Sequence, residues 1–257
     1  MKIKLPFGIL KDKELVEKFS ENPKEAAKQF FESNTSTGII KEELEKYFPY
    51  ENFRKWMNEF GIALVKLKLK TEEKKEEELI IAARTYRELT HFINALKNRE
   101  EILSSYKSFR ETINNSEKLK EKVEEKIKNL IKEIAPNLSY LLGHTLAALL
   151  IAHARGLKNL AKMPAPKIQI LGAEKSLFRY LKKKKQKKMP KYGLIYMSPY
   201  IKEAKDENKG KIARLLASKI MFAARLDYFS DKFEGDKLKE QLLKEINNLE
   251  KIVSKVN

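Results

Sequence analysis

Leu79, Ala82, Tyr86, Leu89, Ile93 and Leu96 are spaced 3, 4, 3, 4 and 3 residues apart. That is the heptad rhythm of a helix burying one narrow seam against another helix. A partner follows Asn114-Asn115-Ser116, where Leu119, Val123, Ile127, Leu130 and Ile134 are spaced 4, 4, 3 and 4. Two such helices joined by a polar break predict an antiparallel coiled-coil arm over 71–134. Neither helix is expected to exceed about 35 residues, so at 1.5 Å per residue the arm is roughly 40–50 Å long at most. Its surface charges are mixed. It can serve as a solvated spacer or carry a homodimer.

The arm divides the chain. Residues 1–70 read as a small α/β domain. Ile3, Leu5, Phe7 and Ile9 alternate as in one strand over Met1–Leu10. Asn22-Pro23 is a helix start, with Asn22 at the N-cap and Pro23 in the first turn. Gly38 breaks the chain, and Lys41–Phe48 is expected as a short helix. Ile62–Lys70 ends in apolar–basic alternation, which predicts a strand or a strand-to-helix junction. Phe30, Phe31, Phe48, Trp56 and Phe60 either all pack in the core or leave apolar surface exposed, since they are more than so small a domain buries easily.

Residues 135–257 read as packed helices. Leu141, Leu142, Leu146, Leu149 and Leu150 form one apolar band, and Ile212, Leu215, Leu216, Ile220 and Ala223 another. Leu238–Val256 is a final amphipathic helix. The stretch Pro136 to Ala154, the bulk of the longest uncharged run, has 19 residues but contains Asn137, Ser139, His144, Thr145 and His153. It fits a core helix better than a membrane span. The fold class expected overall is mostly α.

Charge is unevenly divided. The chain carries a net +18. Residues 1–135 hold 28 basic and 25 acidic side chains, whereas 136–257 hold 26 and 11. A basic second half suits a polyanion, since each phosphate neutralised releases counterions. The densest stretch is Lys175 to Lys191, with nine basic and no acidic residues among 17. Its core, Lys182–Lys188, lies between apolar flanks and is expected to steer a polyanion through counterion release.

Catalytic signatures are missing. Cysteine is absent, which removes disulfides, thiolate metal sites and thiol nucleophiles. No G-x-S-x-G or G-x-G-x-x-G occurs. His144 and His153 stand nine residues apart, about 900° on a helix and so on opposite faces. No enzyme activity, metal or cofactor is expected. The charged N-terminus lacks a signal-peptide core, and a cytoplasmic location is expected.

The second half resembles the Nop domain. The residues that carry this are Ala135-Pro-Asn-Leu138, Leu150-Ile-Ala-His-Ala154, Asn159-Leu-Ala-Lys162, Ile168-Gln-Ile-Leu-Gly-Ala-Glu-Lys175 with Leu177-Phe-Arg179, Pro190-Lys-Tyr-Gly193, Lys209–Arg214 and Ala223-Ala-Arg-Leu-Asp227. The match covers about 120 residues and is similar to the archaeal members, scaffolds of box C/D guide-RNA particles that direct ribose 2′-O-methylation. The resemblance implies a non-catalytic chain with three partners: fibrillarin, a kink-turn-binding ribosomal-type protein and the guide RNA. It implies that fibrillarin docks on the N-terminal domain, where the five aromatics above are the candidates. The RNA-contact candidates are Gln169, Gly172, Ala173, Lys175, Arg179, Lys191, Lys211, Arg214 and Lys219. Glu174 is expected to orient a basic residue or meet the protein partner. Arg214 can equally be an ion-pair partner, and Gln169 a packing residue.

The chain departs from the family pattern at Arg155-Gly156, where Gly-Ser is usual, and at Pro166-Lys167, where Ser-Thr is usual. The arm is also short. Rival readings are a spliceosomal-type Nop factor and a general basic RNA-binding protein.

Overall fold

The computed structural model describes residues 2–11, 14–33, 44–103, 106–182, 189–230 and 232–256. Gly38, the start of the Lys41–Phe48 helix and Lys183–Lys188 lie outside the described residues. The chain separates into two compact units, Met1–Lys74 and Lys75–Asn257. The arm belongs to the second, so the boundary expected at 134/135 lies between two parts of one unit.

The first unit opens with three antiparallel strands in sequence order: β1 (Lys2–Leu5), β2 (Gly8–Lys11) and β3 (Glu14–Lys18). The single strand expected over Met1–Leu10 is instead a hairpin. Leu5 pairs with Gly8, so Pro6-Phe7 is a two-residue turn that swings Phe7 into the core. Gly8 is required there, because a Cβ would stand 2.1 Å from the Glu17 carbonyl oxygen of β3. Helix α1 (Pro23–Glu32) starts as expected, with the Asn22 side chain accepting from Lys24 N at 3.0 Å. A 3₁₀ turn at Leu44–Tyr47 follows. Phe48 then packs edge-on against Phe7, Tyr50, Phe53 and Trp56, and the Trp56 indole donates to Glu21 O at 2.6 Å.

Helix α2 (Phe53–Lys97) absorbs the strand expected at Ile62–Lys70. Leu and Lys are good helix formers, and no Pro interrupts the run. Ala63, Leu64 and Leu67 pack on the first core, while Ile62, Val65 and Leu69 stay exposed. At 45 residues α2 also exceeds the expected 35.

Across the arm, α3 (Glu100–Leu103) is a short turn and α4 (Lys107–Ile134) returns antiparallel. Asn114-Asn115-Ser116 lies inside α4 rather than before it. The ion pairs Lys75–Glu133, Glu78–Lys126, Lys97–Glu117 and Glu100–Arg110 run in opposite chain directions, the mark of a hairpin. The seam is dry at its base, where Leu79, Ala83, Ile127 and Ile131 are fully buried. Toward the tip Ile93 and Ile113 are buried but Leu119 is exposed. The 28 residues of α4 span about 42 Å.

The body holds α5 (Pro136–Leu142), α6 (His144–Ala154), α7 (Leu157–Lys162), α8 (Ala165–Gln169), α9 (Glu174–Lys182), a 3₁₀ turn at Leu194–Met197, α10 (Pro199–Lys202), α11 (Asp206–Phe229) and α12 (Gly235–Val256). Central α11 touches α5, α7, α8, α10 and α12. Its buried Ala213, Ala217, Ala223 and Ala224 let those neighbours come close. The expected apolar bands are buried, except half-buried Leu215. Among the described residues no helix is long and apolar enough to cross a membrane.

One polar junction fastens the arm to the body. Asp227 Oδ1 accepts from Asn137 N at 2.9 Å and Asn137 Nδ2 at 2.8 Å, and its Oδ2 accepts from Leu138 N at 2.9 Å. The carboxylate thus meets the open N–H groups at the start of α5. Asn137 itself reaches Lys232 O and Glu234 N. Asp227→Ala is expected to lower unfolding free energy by about 3 kcal/mol, since it strands buried donors. Urea unfolding followed by circular dichroism checks this, and a loss below about 1 kcal/mol would refute it.

Candidate nucleic-acid interface

The Gly172–Lys175 corner is built by conformation first. Gly172 has φ +89°, and the Leu194 side chain comes within 2.6 Å of where a Cβ would be. A larger residue would be strained there and would push Leu194 away. The Glu174 side chain turns back to accept from Gly172 N at 2.7 Å, closing the first turn of α9. Glu174 therefore orients backbone rather than a basic side chain.

A strap holds this corner. Gly193 N donates to Gln169 O at 2.8 Å and Leu194 N to Leu171 O at 2.7 Å. The Gln169 amide donates to Lys191 O at 3.0 Å. Gly193 lies so close that a Cβ would meet the Leu171 carbonyl oxygen at 1.9 Å. Gln169, Gly172 and Lys191 are thus brought together, with Gln169 as the clasp.

Helix α9 has no buried residue. Lys175 is exposed, and Arg179 lies over its own helix, with Nε donating to Lys175 O at 3.3 Å. Phe178 and Leu181 are also exposed. On α11, Lys211 and Arg214 are exposed one turn apart. Arg214 has no ion-pair partner among the described residues, so the basic head remains available. Lys219 differs. It lies roughly 140° round the helix from Arg214, is only 12% exposed, and pairs with Glu245 of α12 at 2.9 Å. It holds α12 and leaves the candidate RNA set.

The five aromatics of the first unit also divide. Trp56 and Phe60 are buried and stacked, with centroids 5.3 Å apart. Phe30 and Phe48 are half-buried against the same core. Phe31 alone is largely exposed, at 41%. A cavity of about 610 Å³ is lined by Lys24 and Lys28 of α1 and by Ile62, Lys66, Leu67 and Leu69 of α2.

One cluster escaped the sequence reading. A cleft of about 640 Å³ is lined by Arg84, Arg87, Glu88 and His91 of α2, His153 of α6, and Arg155 and Glu174. Residues so far apart in sequence carry no spacing signal. The only hint was Arg155 in place of a usual glycine. An Arg87 Nη atom meets His153 Nε2. Since the guanidinium can only donate, His153 is the neutral acceptor there. Among the described residues no group of His, Asp or Glu could hold a metal.

The family model described as "Nop: snoRNA binding domain, fibrillarin" matches residues 32–248. The chain belongs to the Nop family. Among similar Nop proteins, nucleolar protein 58 of Schizosaccharomyces pombe is 57% identical over 98 residues, which are 38% of this chain and 19% of that protein. Nucleolar protein 56 of Homo sapiens is 52% identical over 111 residues, 42% and 18% of the two chains. The aligned part is about a fifth of the length of these relatives. A chain of a fibrillarin/Nop5p complex crystal structure superposes with TM-score 0.55 and 26% identity, covering 97% of this chain and 100% of that one. The cytoplasmic location expected from sequence is overturned by these relatives, which are nucleolar proteins.

Burial first, then the Arg87 charge, hold His153 below the ordinary histidine range; Glu174 pulls upward and Arg84 adds a further push down. An unfolded chain therefore takes up this proton before the folded one. The stability this histidine contributes is whole above about pH 6.5 and is lost as pH falls below it. In an NMR titration His153 is expected to protonate below the reference value, and Arg87→Gln to move its midpoint upward. A midpoint above the reference would contradict this geometry.

Proposed function

We propose that this chain is the scaffold of a box C/D guide-RNA particle of the archaeal type of layout. It joins fibrillarin to a guide RNA that carries a kink-turn-binding protein, for 2′-O-methylation of rRNA or tRNA. The observation that carries the reading is the Nop-family match over 32–248, together with the likeness to a fibrillarin/Nop5p complex chain along nearly the whole length. The methyl transfer belongs to fibrillarin, and this chain supplies position.

In the second unit, Lys175, Arg179, Lys191, Lys211 and Arg214 face the RNA. Gly172, Ala173 and Gln169 set the shape of that face instead of bonding it. Phosphate contacts of this kind fix register, while base pairing in the guide carries sequence. The arm allows a homodimer. Lys175→Ala with Arg179→Ala is expected to weaken assembly on RNA already carrying the kink-turn protein. Removing a desolvated, charge-assisted hydrogen bond to phosphate should cost about 1.5–3 kcal/mol at each position. Gel shift at physiological salt measures it, and unchanged assembly sinks this placement of the RNA.

In the first unit, fibrillarin docks through exposed apolar side chains, Phe31 on α1 and Ile62, Val65 and Leu69 on α2, not on the buried Trp56 and Phe60. Exposed apolar surface of this kind is the usual mark of a protein contact. Phe31→Asp with Val65→Asp is expected to weaken fibrillarin binding at least about tenfold, which is roughly 1.4 kcal/mol, with helicity unchanged. Calorimetric titration reads the first and circular dichroism the second. Retained affinity would move the docking site elsewhere.

A further inference from the structure

Arg155 occupies a conformation that its side chain opposes. Its φ of 59° and ψ of 44° are left-handed, the region that only glycine enters freely. The corner is also pinned from both sides. Gly156 N donates to Ile151 O at 2.9 Å, and Leu157 N donates to the Glu76 carboxylate of α2. A glycine would satisfy the same bonds without strain. An arginine held there points to use of the side chain, since strained residues gather where function retains them.

Its surroundings show what that use is. Arg155 is at the mouth of the cleft that Arg84 and Arg87 line from α2. None of these three guanidiniums has an ion-pair partner among the described residues. Of the two acids in the cleft, Glu174 is engaged with Gly172 N, which leaves Glu88. With both histidines counted as neutral, the three arginines and two glutamates sum to a formal +1, the charge that one phosphodiester balances. The guanidinium fork matches phosphate oxygens in pairs. His153, by accepting from Arg87, aims that fork and is a positioning residue.

We propose that Arg84, Arg87 and Arg155 form a phosphate-binding cleft between α2 and α6 that grips one RNA backbone phosphodiester. The inference rests on the RNA-scaffold reading but concerns a separate contact from the α9 face. The cleft ties the RNA to the arm as well as to the body, so a bound strand would fix the angle between α2 and α6. An acidic protein segment is the other chemistry the arginines could take, and RNA is favoured because residues 136–257, which supply Arg155, carry 26 basic against 11 acidic side chains, the excess that suits a polyanion.

The test uses the full chain and guide RNA carrying the kink-turn protein, with binding followed by fluorescence anisotropy across a salt titration. Arg155→Gly is expected to weaken binding about tenfold. It should reduce the slope of log affinity against log salt by about 0.7–0.9, one phosphate contact. Its thermal midpoint should stay equal or rise, because the strain is gone. Arg155→Lys should recover part of the affinity through charge alone. Arg84→Gln with Arg87→Gln should lower affinity and slope in the same direction. If the parent binds the RNA while Arg155→Gly leaves affinity and slope unchanged, the cleft is overturned and the scaffold reading stands. If the parent does not bind that RNA, both fall. If millimolar inorganic phosphate raises the melting point of the parent but not of Arg155→Gly, with RNA affinity equal in the two, free phosphate is the ligand and the RNA assignment is wrong.

Discussion

The body of this protein is organised by a carboxylate that caps a helix from across the fold. Asp227 lies near the end of α11, yet its oxygens serve the first N–H groups of α5 and the side chain of Asn137. Asn137 in turn fixes the chain entering α12. The start of α5 is thus joined, across about 90 residues of sequence, to the corner between α11 and α12 at the point where the arm ends. Hydrophobic burial holds the helices together but is indifferent to small rotations. A carboxylate accepting three directed bonds is not, and its geometry sets where α5 begins and hence how α6 lies.

The same division of labour marks the candidate RNA face. Several residues that look like ligands by type also hold the fold. Gly172 is needed for its φ, Glu174 for a backbone N–H, Gln169 for the carbonyl of Lys191 and Lys219 for α12. The candidates left to meet a polyanion are Lys175, Arg179, Lys191, Lys211 and Arg214, which form no ion pair among the described residues. The face is therefore preorganised, with its shape held by one set of residues and its charge supplied by another.

Legibility from sequence followed the range of the interactions. The heptad seam announced the arm, because residues three and four apart share a helix face and the periodicity is local. The Asn22 cap was equally plain. The strand, or strand-to-helix junction, expected at Ile62–Lys70 failed because a short period-two run carries less weight than an uninterrupted helix passing through it. The hairpin within Met1–Leu10 was missed because Pro6-Phe7 turns without a Gly-containing turn pair, and Phe7 reads as one more strand position. On the candidate site, the chemistry of Lys175 and Arg214 could be read from type and place. The ion pair of Lys219 and the cleft around Arg155 could not, since each needs partners that only the fold brings together.

The clasp beneath α9 has a further meaning for how such a chain can change. Gln169, Leu171, Gly193 and Leu194 bring the two ends of the Ala173–Tyr192 segment to one place on the body. A segment whose ends meet can vary in length at small entropic cost, because loop closure grows only as the logarithm of length. The α9 segment is thus a cassette. Its length and reach between Arg179 and Lys191 can change while the core beneath keeps its register.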